Sequence, residues 1–179
     1  TQINMDLKEY IRSIPDYPKK GILFRDITTL IKNEKAFSET INLIVERSKN
    51  FKFNKIAAIE SRGFVFASAV SYLLKKPFIL LRKKNKLPAE RYSVDFELEY
   101  GTATIEMHKD SINKNDGVLI IDDLIATGGT AEAAAKIIEM SNGKVSGFIF
   151  VINLFDLGGC DILKNKNYKV ENLIEFPGH

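Results

Sequence analysis

Two adjacent carboxylates followed by a threonine- and glycine-rich segment are the residues of this sequence best suited to chemistry. Asp122 and Asp123 come directly after an apolar run at 118–121, and the segment 126–130 leads into an alanine-rich stretch. This order is typical of a buried strand, a loop and a helix, and open α/β sheets bind ligands at such strand ends. Backbone N–H groups at a helix N-terminus attract anions, while carboxylates bind hydroxyl groups or a metal ion. The stretch predicts a sugar-phosphate site; the alternative is a plain strand end followed by a turn.

The segment 126–130 does not match the familiar phosphate loops. It lacks the lysine of G-x-x-x-x-G-K-[ST] and contains no G-x-G-x-x-G. It resembles the phosphoribosyl-diphosphate loop of the type I phosphoribosyltransferases. The resemblance implies that Asp122 and Asp123 bind the ribose 2′- and 3′-hydroxyls. It also implies that the 5′-phosphate is held by Ala126, Thr127, Gly128, Gly129 and Thr130.

A second segment, residues 60–64 (Glu-Ser-Arg-Gly-Phe), also stands between a predicted strand and a predicted helix. Such a turn can direct backbone N–H groups and a bidentate arginine towards an anion. The segment resembles the pyrophosphate loop of the same family, which often contains a non-proline cis peptide. The resemblance makes Ser61 and Arg62 pyrophosphate ligands, whereas the alternative is a solvated arginine at a helix N-terminus.

Four cations occur among the five residues of the basic segment 82–86. By themselves they are typical of a solvated loop or a weak nucleic-acid patch, although no interleaved aromatic residues support stacked bases. Cations also stabilise the charge that develops on a departing diphosphate. The matching family segment contacts pyrophosphate, which makes Arg82, Lys83 and Lys86 further candidates.

An acidic segment at 94–102 lies at the tip of two extended stretches that we expect to leave the sheet as an antiparallel excursion. The family closes a mobile loop here, which excludes water from the activated sugar, and we place that loop at about residues 92–104. Glu99 and Tyr100 match the catalytic pair of one subfamily. The alternative is a hairpin tip kept soluble by its charges.

The acceptor base is indicated by Ala126 and by a segment near the N-terminus. Alanine at 126 replaces the purine-contacting aspartate usual in 6-oxopurine members, and Ala-Thr-Gly-Gly differs from the Thr-Ala-Gly of orotate members. With residues 21–26 (Gly-Ile-Leu-Phe-Arg-Asp) and the segments above, the chain resembles the adenine-specific members. The resemblance implies that backbone groups of Leu23 and Arg25 pair with adenine and that Phe24 stacks on it. Outside this context Phe24 is typical of a core phenylalanine.

The implied reaction joins adenine to phosphoribosyl diphosphate and yields AMP and pyrophosphate. Mg²⁺ is expected to bind through the diphosphate substrate, and no residue is assigned as a direct metal ligand. The family also implies a homodimer. Two alternatives stay open: transfer to another base, such as xanthine or hypoxanthine, and a non-catalytic regulator that senses phosphoribosyl diphosphate.

The elements that must position these residues alternate between strands and helices. This alternation predicts an α/β fold with a mostly parallel, doubly wound sheet flanked by helices. The expected strands are 55–59, 78–81, 118–121, 145–153 and 168–176, and the expected helices are 35–49, 63–74 and 130–141. We expect a single phosphoribosyltransferase domain over 1–179, with a small N-terminal hood at about 1–31 and a core at about 32–179.

Composition limits the class of protein. The chain has 179 residues, 45% of them hydrophobic and 27% charged, which is ordinary for a globular domain. One cysteine excludes an intramolecular disulfide, and no apolar run or leader-like N-terminus indicates a membrane span or secretion. A net charge of +3 is too small to indicate nucleic-acid binding. We therefore expect a cytoplasmic protein without a nucleic-acid or membrane partner.

Overall fold

The computed structural model of the chain describes residues 5–98 and 101–179. The strands within these ranges are β1 (Arg12–Pro15), β2 (Leu23–Asp26), β3 (Lys55–Ile59), β4 (Phe78–Lys83), β5 (Arg91–Leu98), β6 (Gly101–His108), β7 (Gly117–Ile125), β8 (Lys144–Leu154) and β9 (Val170–Phe176). The α-helices are α1 (Thr28–Ile31), α2 (Glu34–Ser48), α3 (Arg62–Leu74), α4 (Gly129–Met140) and α5 (Gly159–Asn165). Short 3₁₀ turns occupy Leu7–Tyr10 and Phe155–Leu157.

The larger sheet has the strand order β5-β6-β4-β3-β7-β8-β9. The strands β4, β3, β7, β8 and β9 are mutually parallel, and the β5–β6 hairpin adds antiparallel strands beside β4. The predicted fold class is confirmed. From β3 the chain crosses to β4 on one side, and from β7 it crosses to β8 on the other. The strand order therefore reverses between β3 and β7, and a crevice forms at the carboxyl ends of such a pair.

Two hydrophobic clusters cover the two faces of the sheet. One face packs against α4 and α5 through residues such as Phe148, Ile137 and Leu163. The other face packs against α2 and α3, and this cluster continues into the N-terminal section through Leu7, Ile27 and others. The N-terminal section is thus packed on the same core that supports β3 and β7.

A small antiparallel sheet of β1 and β2 forms the region predicted as the hood. Asp26 at the end of β2 accepts hydrogen bonds from the Thr28 hydroxyl at 2.7 Å and the Thr28 amide at 2.9 Å, and it pairs with Arg12 at 2.5 Å. These contacts, chiefly the Thr28 hydroxyl, lower the pKa of Asp26 to about 2. The Tyr17–Pro18 peptide between the two strands is cis.

Most of the predicted elements are confirmed, and the differences are local. Asn33 caps α2 by accepting the Ala36 amide at 3.0 Å. The strand expected at 118–121 continues through the acidic pair to Ile125, because β8 pairs with β7 along this whole length. The sequence did not predict α5. In the described ranges, no helix combines the length and apolar character needed to cross a membrane.

Candidate active site

A cavity of about 350 Å³ opens where the carboxyl ends of β3 and β7 meet the N-termini of α3 and α4. Three stretches that are distant in sequence line it together: the loop after β3, the end of β4 and the stretch from β7 into α4. The predicted site residues that line it are Ser61, Arg62, Lys83, Asp122, Asp123, Ala126, Thr127, Gly128, Gly129 and Thr130. The chain thus brings most of the predicted donor site into one crevice.

The loop 126–130 presents backbone N–H groups to this cavity. Gly128 is the N-cap of α4 and offers no side-chain cap, so the first amides of the helix are available to an anion. The loop is supported from behind by α5, since the Gly159 amide donates to the Ala126 carbonyl at 3.1 Å. A Cβ at Gly159 would lie 2.5 Å from that carbonyl oxygen, so only glycine permits this contact. The sequence did not predict a role for Gly159, although a second diglycine after a strand was a visible signal.

The acidic pair lies on β7 at the floor of the cavity. The Asp123 amide donates to Asp122 Oδ1 at 2.8 Å, and Asp123 Oδ2 pairs with Arg62 Nε at 2.6 Å. The Asp123 side chain is 7% exposed, whereas Arg62 is 53% exposed. Burial raises the pKa of Asp122 well above its usual value, and the negative charge of Asp123 raises it further. Asp123 is buried and Asp122, beside it, is half-buried, while the Arg62 ion pair involves Asp123. Adjacent carboxylates so placed are unfavourable for stability, which points to a role in binding.

The loop after β3 approaches the acidic pair closely. The Glu60–Ser61 peptide is cis, and α3 begins at Arg62. A Cβ at Gly63 would lie 2.9 Å from Asp122 Oδ1, so glycine at this position leaves room for the carboxylate. The predicted pyrophosphate loop and the predicted ribose-binding pair are therefore packed against each other.

The basic segment is placed at the rim of the cavity. Lys83 lines the cavity, but Arg82 and Lys86 do not. Arg82 Nε instead pairs with Glu60 Oε1 at 3.2 Å, and Arg82 NH1 donates to the Lys86 carbonyl at 3.4 Å. Glu60 is a second residue that the sequence analysis did not select.

The small β1–β2 sheet, predicted as the hood, approaches the cavity at Arg62 through Phe24. Phe24 is half-buried, with the Tyr17 ring edge-on at 5.1 Å and the Arg62 guanidinium 5.9 Å from its centroid. The Arg25 side chain is directed away towards the C-terminal segment, where it lies 4.5 Å above the Phe176 ring and donates to the Pro177 carbonyl at 3.0 Å. Leu23 and Arg25 lie on β2, which pairs with β1 along one edge, so their backbone groups remain candidates for pairing with a base.

The predicted catalytic residues Glu99 and Tyr100 lie outside the described residues. The strands that lead to them end at Leu98 and restart at Gly101, so most of the predicted mobile loop belongs to β5 and β6. A Cβ at Gly129 would lie 3.2 Å from the Glu97 carbonyl oxygen. The hairpin therefore meets the loop 126–130 directly.

Comparison with known proteins agrees with this geometry. The family model of the phosphoribosyl transferase domain matches residues 26–175. The chain belongs to the phosphoribosyltransferase family. It is 80% identical to an adenine phosphoribosyltransferase from Pelagibacter ubique, over 98% of this chain and 100% of that protein.

Solved structures of other phosphoribosyltransferases share the whole fold. The crystal structure of adenine phosphoribosyltransferase from Thermoanaerobacter pseudethanolicus superposes with a TM-score of 0.90 at 45% identity, covering 95% of this chain and 98% of that one. The Saccharomyces cerevisiae adenine phosphoribosyltransferase, solved with adenine and an imino-altritol bisphosphate, has a TM-score of 0.85 at 33% identity, over 93% and 96% of the two chains.

The acidic side chains of the site also bear on how it could bind a metal ion. Across residues 5–98 and 101–179, no group of three or more His, Cys, Asp or Glu side chains is placed to hold a metal ion. The carboxylates that line the cavity are Glu60, Asp122 and Asp123.

Proposed function

We propose that this phosphoribosyltransferase transfers the 5-phosphoribosyl group from phosphoribosyl diphosphate to adenine, releasing AMP and pyrophosphate. The supporting observation is the shared crevice, in which a helix N-terminus, an acidic pair and an arginine-bearing loop surround one cavity. The relatives at 80% and 45% identity, both named adenine phosphoribosyltransferase, support adenine as the acceptor.

The three parts of the donor match three parts of the crevice. The amides of 127–130 at the start of α4 suit the 5′-phosphate dianion, since the helix dipole adds about 0.3–1 kcal/mol for an anion. Asp122 and Asp123 suit the ribose hydroxyls as acceptors. Arg62 and Lys83 then face the diphosphate, with Ser61 on the same loop. We extend the diphosphate site to Arg82 and Lys86 at the rim.

The chemical step breaks the bond between C1′ and the diphosphate oxygen and forms a bond between C1′ and adenine N9. The electron pair of the breaking bond leaves with pyrophosphate, so negative charge grows on the leaving group and positive charge on the sugar ring. Cations at Arg62 and Lys83 stabilise the leaving group. Asp122 and Asp123, which line the cavity, stabilise the positive charge on the ring. When bound to the diphosphate, Mg²⁺ adds further charge neutralisation to the leaving group.

The hood suits the acceptor. Phe24 presents a ring on which a purine can stack, and stacking contributes about 1–3 kcal/mol per base. Backbone groups of Leu23 and Arg25 on the same strand suit the edge of adenine, because a strand holds its donors and acceptors at fixed positions. The adenine N9 proton must leave during the reaction, and we assign its removal to Glu99, with Tyr100 beside it.

Two further properties follow from the same family assignment. We propose that the protein acts as a homodimer and that it works in the cytoplasm. The single free thiol, Cys160, is buried and suits a reducing compartment.

The direct test is product detection from adenine, phosphoribosyl diphosphate and Mg²⁺. We expect AMP and pyrophosphate in equal amounts, with hypoxanthine, xanthine and guanine far less active as acceptors in the same assay. Efficient transfer to a 6-oxopurine would show that this base, and not adenine, is the acceptor. Donor binding by calorimetry without product from any base would instead support a non-catalytic sensor.

The role of Glu99 has its own test. Replacing it by alanine should lower kcat by about 100-fold if it moves the N9 proton, because general base catalysis contributes at least that much. Single-turnover kinetics would separate chemistry from product release. A chemical step near the wild-type rate would remove Glu99 from this role while leaving the overall reaction in place.

A further inference from the structure

We propose that Glu106, with Glu60, is a positioning residue that holds the basic segment 82–86 in place for the diphosphate end of the donor. This inference rests on the proposed function. Glu106 does not line the cavity, and Glu60 lies at its edge; in this proposal each carboxylate acts through the segment that it binds.

Glu106 lies on β6, and its side chain is only 4% exposed. Its Oε1 accepts the Asn85 amide at 2.7 Å, while its Oε2 accepts Arg91 Nε at 3.0 Å and a short hydrogen bond from the Ser93 hydroxyl. These bonds, chiefly the one from Ser93, keep the pKa of Glu106 below its usual value despite burial. Glu106 is therefore a buried anion with both oxygens occupied.

Glu60 binds the other side of the same segment. Its Oε1 accepts the Lys83 amide at 2.7 Å and Arg82 Nε at 3.2 Å. Two carboxylates, Glu60 after β3 and Glu106 on β6, thus bind the backbone amides of Lys83 and Asn85. Lys84 lies between these two residues. Asn85 has a φ of 66°, which makes a tight turn at this point. Fixing the backbone on both sides limits the positions that the lysine side chains can reach.

The carboxylates fix the segment without neutralising its lysines. Both oxygens of Glu106 and Oε1 of Glu60 accept hydrogen bonds from backbone amides, a hydroxyl and the Nε atoms of Arg82 and Arg91. In the described part of the chain, no carboxylate lies within ion-pair distance of the ammonium groups of Lys83, Lys84 or Lys86. The positive charge stays available for a polyanion. A carboxylate that paired with these ammonium groups directly would weaken diphosphate binding.

Glu106 also connects this segment to the hairpin that carries residues 99–100. Arg91 and Ser93 lie on β5, and Ser93 is the cross-strand partner of Glu106. The chain between the basic segment and β5 is also bound to β6, because the Ala89 amide donates to His108 Nε2 at 3.2 Å. The base of the hairpin and the basic segment are consequently held as one unit.

The test measures the binding of the two reaction products, pyrophosphate and AMP, separately. Glu106→Gln keeps an acceptor for the Asn85 amide but loses the charge and the second acceptor. We expect it to weaken binding of inorganic pyrophosphate with Mg²⁺ by about tenfold, since small displacements of binding groups have large effects. Binding of AMP, which carries no diphosphate, should stay within twofold of wild type. Calorimetry with each product measures both values.

The matched control is Asp116→Asn. Asp116 is another buried, fully hydrogen-bonded carboxylate, but it lies at the opposite ends of the strands. We expect this variant to lower the melting temperature without changing pyrophosphate affinity. Equal pyrophosphate affinity in wild type and Glu106→Gln would overturn the proposal, as would an equal loss of AMP and pyrophosphate affinity.

A double-mutant cycle with Lys83→Ala tests whether Glu106 acts through the lysines. If it does, the combined loss of pyrophosphate affinity is smaller than the product of the two single losses. If the losses multiply, the proposal fails. Should Glu106→Gln not fold, Ser93→Ala removes one donor to Glu106 and takes its place in the cycle. These measurements use pyrophosphate and AMP alone, so they stand apart from the outcome of the AMP-forming assay that tests the proposed function.

Discussion

The two ends of the central parallel strands both carry carboxylates, and the surroundings of these carboxylates differ. At the carboxyl ends, Asp122 and Asp123 are adjacent, and burial and mutual repulsion raise the pKa of Asp122. At the amino ends, Asp116 pairs with Lys55 Nζ at 2.8 Å and accepts from Asn54 Nδ2 at 2.8 Å and the Asn113 amide at 2.7 Å. The hydrogen bond from Lys55 is the largest of several contacts that lower the pKa of Asp116 to about 2.

This difference separates stability from binding within one sheet. The carboxylate at the amino ends has its acceptors filled by the protein itself, so it contributes to folding and presents little to a ligand. The pair at the carboxyl ends lacks enough partners, so its hydrogen-bonding capacity is available for substrate hydroxyls. The same residue type thus serves opposite purposes according to the partners that the fold supplies.

The largest expected effect comes from replacing both Asp122 and Asp123 by asparagine. Donor binding should weaken by about 1,000-fold, because two hydrogen bonds to charged groups contribute about 1.5–3 kcal/mol each. The fold should be retained or stabilised, since the substitution removes a buried like-charge pair. Calorimetry with phosphoribosyl diphosphate and a thermal melt would test both statements, and unchanged donor affinity would contradict the ribose assignment.

At the opposite ends of the strands, Asp116→Asn should behave in the reverse way. We expect a loss of about 3 kcal/mol in the free energy of unfolding, because Lys55 is left buried without its counter-charge. Steady-state kinetics at a temperature where the variant is folded should be unchanged. A large change in KM for the donor would show that the two ends are not independent.

The free energy of unfolding of the same variant should also depend on pH differently from that of the wild type. The pKa of Asp116 in the folded chain is about 2, against 3.8 when unperturbed. Its contribution to the free energy of unfolding is therefore complete above pH 4 and disappears as the pH falls towards 2. The contribution is on the order of 2 kcal/mol. Urea unfolding between pH 5 and pH 2 should therefore show a smaller acid-induced loss of stability in Asp116→Asn than in wild type.

A smaller effect is expected from Gly159→Ala behind the phosphate loop. The new Cβ would lie 2.5 Å from the Ala126 carbonyl, so the loop must shift, and AMP affinity should fall by about tenfold while pyrophosphate affinity is retained. Gly158→Ala is the control, because Gly158 has a φ of 79° but no atom within 4 Å of its added Cβ. If both variants lose AMP affinity equally, backbone strain rather than displacement of the loop is responsible.

How far the sequence predicts the site depends on how local the contacts are. The acidic pair, the loop 126–130 and the loop after β3 are each continuous in sequence, and parallel strand ends bring them together. The residues that support these segments are distant from them in sequence. Gly159 contacts Ala126, and Glu106 contacts Asn85, and no periodicity in the sequence reveals these contacts. The helix α5 was missed for a related reason, because its seven residues are too short for an apolar repeat.

The ion pair between Arg62 and Asp123 has a consequence for the enzyme before substrate arrives. Arg62 pairs with Asp123 while the cavity is open, so a free cation must displace this arginine before it can bind Asp123. The donor brings its own anion for Arg62 and its own hydroxyls for Asp123, and exchange of these partners is favourable only when both are present in one molecule. We expect the resting enzyme to ignore isolated cations and sugars and to respond to the complete phosphorylated sugar.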